Sequence, residues 1–136
     1  MSLGQRNNNP LNIRRVAGTK WIGQRDEQTD NAFVQFRTIE FGLRAAFVLL
    51  RTYSTKYRAN CIRDIVSRWA PPSENDTEQY IRNVCQWTGF GGNERLTEDQ
   101  WPALVRAMAR QECGAVIDWE TIMRAFALYK EKAAIK

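Results

Sequence analysis

From residue 38 onward, apolar side chains recur every three or four positions, the spacing that gives a helix one buried face. Thr38 opens the first run and is placed to cap it. The predicted helix reaches about Tyr53, with Ile39, Leu43, Ala46, Phe47 and Leu50 inward. Arg37, Arg44, Arg51 and Arg58 recur every seven residues and read as a solvated stripe. Asn60 is predicted to cap a shorter helix that buries Ile62, Ile65, Val66 and Trp69 and stops at Pro71-Pro72. Asp76 to Gln79 and Thr97 to Gln100 both have capping-box spacing. The first should open a helix through Tyr80, Ile81, Val84 and Cys85. The second should open one that buries Trp101, Leu104, Val105 and Met108 and ends at Gly114. Asp118 is the expected cap of a last helix holding Ile122, Met123, Phe126 and Tyr129.

Residues 6–36 follow a different pattern. Asn7-Asn8-Asn9-Pro10 is a turn cluster, because asparagine tolerates unusual φ and proline fixes its own. Trp21-Ile22-Gly23 and Phe33 to Phe36 read as short strands on either side of the polar stretch 26–31, which predicts a β-hairpin. The expected fold is mainly α (α+β). It is one domain over 1–136, with a small N-terminal β-hairpin region at 6–36 and a helical body at 38–132.

Composition narrows the chemistry. The 136 residues suffice for a buried core, and 43% hydrophobic with 26% charged residues suits a globular chain. No apolar stretch is long enough to span a bilayer, and no signal peptide is expected, so the protein should be made in the cytoplasm. Cys61, Cys85 and Cys113 lack metal-ligand spacing and read as free thiols. There is no histidine, so the usual zinc hydrolases and the imidazole-dependent triads are excluded. No metal or cofactor is expected. Carboxylate chemistry remains, and glycosidic bonds are its commonest target.

Charge adds one asymmetry. Arg6, Arg14, Arg15, Lys20 and Arg25 are the only charges in residues 1–25. The remaining 15 Lys and Arg balance the 15 Asp and Glu of residues 26–136. A neutral body with a basic N-terminal segment suits an anionic polymer, or simply a solvated edge.

Among the carboxylates, Glu112 continues the apolar line Trp101, Val105, Met108 and lies at a helix C-terminus. Both placements disfavour ionisation, as a general acid at neutral pH requires. The alternative is a core-rim glutamate that reaches water or an arginine. Glu40, in the first turn of its helix, is explained by the helix dipole. Asp26, Glu27 and Asp30 fall in the hairpin turn, where a second carboxylate could face a cleft or could simply be turn polarity. Glu74 and Asp76 follow the proline pair, with Asp76 explained as a cap. Trp69 and Trp101 fit core positions, and Trp21, beside glycine, is the expected exposed platform for a sugar ring.

An ordered set of segments resembles the phage and prophage virion structural proteins described as lysozyme-like or transglycosylase-like. The set comprises Arg6 to Arg14, Trp21-Ile22-Gly23-Gln24, Gln28-Thr29-Asp30, Phe33 to Phe36, and Glu40-Phe41-Gly42-Leu43-Arg44-Ala45. Ile65 to Thr77 and Tyr80-Ile81 extend the likeness over nearly the whole chain. Asn8-Asn9-Pro10-Leu11-Asn12-Ile13 and Trp21-Ile22-Gly23 also echo bacterial glucosaminidases, whose acid lies on a helix before the Asn-Asn segment. Here residues 1–25 contain no carboxylate. Gln111-Glu112-Cys113-Gly114 resembles the Gln-Glu-Ser-Gly that ends the catalytic helix of lytic transglycosylases.

The resemblance implies a lysozyme-like domain directed at peptidoglycan glycan strands, virion-associated or delivered to the cell wall, with other virion proteins as further partners. Glu112 would protonate the glycosidic oxygen between N-acetylmuramic acid and N-acetylglucosamine. Asp30, Glu27 or Glu40 would supply a second carboxylate, which an intramolecular displacement does not need. Asn8, Asn12, Trp21 and Arg44 would line the glycan cleft. The alternative is a non-catalytic virion structural or wall-binding protein on the same scaffold. Nucleic acid is not the expected partner.

Overall fold

The computed structural model describes residues 1–135, with side chains described through Glu131; Lys136, the last residue of the expected domain, lies outside them. Among the described residues the regular structure is helical. The helices are α1 (Leu3–Arg6), α2 (Ile39–Tyr57), α3 (Ile62–Trp69), α4 (Thr77–Thr88), α5 (Trp101–Cys113) and α6 (Trp119–Ile135), with a 3-10 turn at Glu98–Gln100 leading into α5. None is long and apolar enough to cross a membrane.

The caps act largely as their sequence suggests. The Thr38 hydroxyl accepts from the Phe41 N–H at the start of α2, and the Asp76 carboxylate accepts from the Gln79 N–H at the start of α4. Thr97 and Gln100 close a reciprocal capping box. Gly89 and Gly114 end α4 and α5 in the left-handed conformation, at φ 79° and 78°. Two boundaries differ from expectation. Cys61, not Asn60, stands at the α3 N-cap, because the Asn60 Oδ1 accepts the Ser54 hydroxyl at 2.6 Å. α2 runs to Tyr57, one turn past its expected end, and stops where Arg58 turns left-handed at φ 54°.

α2 and α6 pack against each other through Phe47, whose ring centroid lies 5.0 Å from Phe126 and 5.8 Å from Tyr129. α5 lies across α4, and α3 leans on α4. The shared core includes Leu43, Leu50, Ile62, Ile65, Leu104, Met108 and Ile122, each at most 1% exposed. Fully burying such a side chain contributes roughly 1.5–3 kcal/mol. Arg44, expected on the solvated stripe, is only 7% exposed, because its place in α2 lies beneath α6 rather than in water. Its Nε has no hydrogen-bond partner, and burial lowers its pKa.

The expected N-terminal hairpin is absent. Residues 6–36 contain two isolated antiparallel bridges, Arg14 with Phe33 and Gln24 with Phe36, and no strand. Backbone pairs are scattered, as from the Val34 N–H to the Ile13 carbonyl and from the Phe36 N–H to the Asn7 carbonyl, and side-chain amides supply bonds between them. Asn9 Nδ2 donates to the carbonyls of Ile13 and Val34, while its Oδ1 accepts from the Ile13 N–H. Gln28 donates to the carbonyls of Arg25 and Gln35 and accepts from the Gln35 N–H. The segment is thus a loop held by amides. α1 precedes it, capped by a Ser2–Gln5 box that the hydrophobic pattern does not announce.

This loop lies directly on α2. A Cβ at Gly42 would stand 2.0 Å from the Asn8 carbonyl oxygen, so the contact requires glycine there.

Candidate active site

α5 carries Glu112 as its penultimate residue, one turn beyond the buried Met108. Its side chain follows the apolar face to the open end of the helix and is half-buried there. Two donors hold it. Asn12, left-handed at φ 53°, directs Nδ2 at Glu112 Oε1 (3.1 Å) and at the Glu112 backbone carbonyl (3.3 Å). That carbonyl is among the last four of the helix, which lack intrahelical partners. Tyr80, buried on α4, donates its hydroxyl to Glu112 Oε2 at 3.1 Å.

Burial pushes the Glu112 carboxyl above its ordinary range. The hydrogen bonds from Asn12 and Tyr80 and the charge of Arg14 oppose that rise without cancelling it. Burial, and secondarily the Glu112 charge, push the Tyr80 phenol well above its usual value, so it stays a donor at working pH.

Glu112 opens into a groove of about 620 Å³. The amide-held loop contributes Asn12, Arg14, Trp21 and Phe33 to its lining; α2 and α3 contribute Tyr53 and Trp69. Trp69 Nε1 donates to the Leu11 carbonyl at 3.2 Å, tying α3 to the loop, and Tyr53 meets the Trp69 ring edge-on at 5.8 Å. A half-buried carboxyl in a groove that aromatic side chains also line combines a proton donor with surfaces on which a ring-shaped ligand can stack. Among the described residues no cluster of Cys, Asp and Glu forms a metal site.

No protein-family model matches the chain. Over 114 residues it is 43% identical to Protein P5 of Pseudoalteromonas phage PM2, a match covering 82% of this chain and 71% of that protein. The chain belongs to the family of this phage protein. It is therefore a phage-type protein, as the N-terminal motifs suggested.

Within this family member, the site residues expected from the sequence fall into two groups. Glu112, Asn12 and Trp21 share the groove. The remaining five do not line it. Asp30 accepts from the Ala32 and Phe33 N–H groups at 2.8 Å each, and these bonds hold its carboxyl below the usual range. Glu27 is exposed in the loop. Glu40 is paired with Arg124 across α2 and α6 at 3.2 Å. Asn8, left-handed at φ 52°, spends its amide on the carbonyls of Phe36 and Arg37. Arg44 is buried beneath α6.

Sequence reasoning passed over Tyr80, Tyr53 and Arg14, and it placed Trp69 wholly in the core. It also left Glu74 without a role, and this exposed residue is the second carboxylate among the groove lining. Tyr80 sits at a regular helical core position, and no local signal separates it from an ordinary buried tyrosine. The basic segment is also less free than its charge suggested. Arg25 donates to the carbonyls of Phe36 and Arg6, and Arg15 donates to that of Asp30. The three thiols are free; Cys113 is buried, and burial raises its pKa.

Proposed function

We propose that this chain is a peptidoglycan-directed glycosidase on a lysozyme-like scaffold, with Glu112 as its general acid. The observation that carries this reading is the half-buried Glu112 carboxyl, held by Asn12 and Tyr80 in a groove that Trp21 and Trp69 also line. Its raised pKa keeps a proton available at a pH where an exposed glutamate has lost it.

Glu112 would protonate the glycosidic oxygen as the C1–O bond breaks. Asp30, Glu27 and Glu40 lie outside the groove and Glu74, which lines it, is exposed, so the proposed route is the one that needs no second carboxylate. In that route the muramic acid C6 hydroxyl attacks C1, its proton passes to the Glu112 carboxylate, and an internal anhydro ring closes. This is the chemistry of a lytic transglycosylase. A hydrolytic muramidase would instead take its oxygen from water, with Glu74 as the carboxylate at hand.

One observation favours a second reading, a non-catalytic virion or wall-binding protein on the same scaffold. The buried part of the groove holds one carboxyl, and Glu74 is exposed.

A zymogram on purified peptidoglycan tests the proposal. Wild-type protein should clear the wall, and Glu112→Gln should clear at least ~100-fold more slowly, the usual loss on removing a general acid. Products formed in H2-18O should lack the label if the ring closes internally and carry it if water attacks. Retained clearing in the Gln variant would remove Glu112 from the mechanism. No clearing by folded wild-type protein, with retention on the wall, would establish the second reading.

A further inference from the structure

Arg14 stands apart from the other arginines of the loop. Its guanidinium lies over the Phe33 ring, 5.1 Å from the centroid, and its backbone pairs with Phe33 in one of the two bridges. Buried Ile13 anchors it on the N-terminal side. It makes no ion pair among the described residues, whereas Arg37, Arg63 and Arg124 each pair with an acid. Among the described groove-lining residues it is also the only Lys or Arg.

We infer that Arg14 reads a carboxylate on the occupant of the groove, so that the ligand is an acidic amino-sugar strand rather than a neutral one. A guanidinium stacked on a ring loses water from one face and keeps its in-plane N–H donors. Those donors match a carboxylate in two parallel hydrogen bonds. The groove is also lined by Glu74, and by Glu112 in its ionised form, either of which repels an anionic ligand unless a cation offsets it. Arg14 supplies that cation from a position fixed by its bridge.

The inference rests on the glycan reading for the nature of the strand: on strands stripped of their stem peptides, the lactyl group of N-acetylmuramic acid carries a free carboxylate. It also has a consequence for Glu112. Arg14 is one of the groups that draw the Glu112 pKa downward. A bound carboxylate neutralises it, so recognition of the acidic sugar and protonation of Glu112 favour each other.

Binding to the Glu112→Gln protein, which cannot turn the strand over, tests this. The probes are peptide-free N-acetylglucosamine–N-acetylmuramic acid oligomers, with the lactyl carboxylate either free or amidated. Calorimetry at low salt should give at least tenfold tighter binding of the free acid. Adding Arg14→Gln should abolish that preference and Arg14→Lys should keep part of it. Thermal melting should show both variants folded, since the Arg14 side chain is exposed. Equal affinity for the two forms, or a preference that survives Arg14→Gln, overturns the role of Arg14 and leaves the glycan reading standing. Binding of neither form overturns both.

Discussion

Asn12 and Glu112 lie one hundred residues apart, yet one amide group serves both ends of the glutamate. Asn12 Nδ2 reaches Oε1 at 3.1 Å and the Glu112 backbone carbonyl at 3.3 Å. The same side chain therefore completes a helix terminus and orients the candidate acid. It does so from a left-handed residue at φ 53°, a conformation that asparagine tolerates better than most residues.

Two substitutions at this position separate its roles. Asn12→Gly keeps the backbone geometry and loses the donor, whereas Asn12→Ala loses both. Urea denaturation should show Asn12→Ala to be ~1–2 kcal/mol less stable than Asn12→Gly, the cost of a β-carbon in that conformation. Both variants should raise the pKa of Glu112. Equal stability of the two would mean that the backbone relaxes freely there.

Tyr80→Phe removes the second donor while keeping the ring. Because the hydroxyl stabilises the ionised carboxylate, its loss should move Glu112 titration upward, as read by carboxyl carbon NMR. The alkaline limb of any wall-clearing activity should move the same way, at a stability cost of about 1 kcal/mol. An unmoved titration would show that Tyr80 supports the fold alone.

Glu112 itself should make stability depend on pH. Its pKa is raised in the folded chain, so the folded state holds an extra proton between the ordinary value of 4.5 and the raised one. The stability linked to that proton is fully present below the ordinary value and is lost as pH rises through the raised one. Glu112→Gln does not titrate. Its melting temperature should therefore gain on wild type as pH increases from about 4 to about 8. A gap that stays constant with pH would contradict the burial of this carboxyl.

The contact between the loop and α2 offers a test of the fold. Gly42→Ala places a methyl 2.0 Å from the Asn8 carbonyl oxygen and should cost about 1–3 kcal/mol or more. Gly18→Ala meets no atom within 4 Å and pays only for its φ of +82°, about 1–2 kcal/mol. Chemical denaturation of both should rank Gly42→Ala as the more damaging. The reverse order would mean that the loop does not rest on α2.

By itself the sequence determined what local forces decide. The period of apolar residues laid out α2 to α6, and Thr38, Asp76, Thr97 and Gly114 marked ends that the folded chain uses. It also put Glu112 on an apolar face at a helix end, because both features lie within α5. Tertiary structure decided the rest. Whether Phe33 to Phe36 forms a strand depends on which groups take its backbone hydrogen bonds, and these are divided among several, including the amides of Asn9 and Gln28 and the backbones of three separate residues, Asn7, Ile13 and Arg25. Whether Arg44 is solvated depends on where α6 lies. The company of Glu112 is settled by contacts between a loop and three other helices that no short-range pattern encodes, and Tyr80, Trp69 and Arg14 become site residues only once those elements meet.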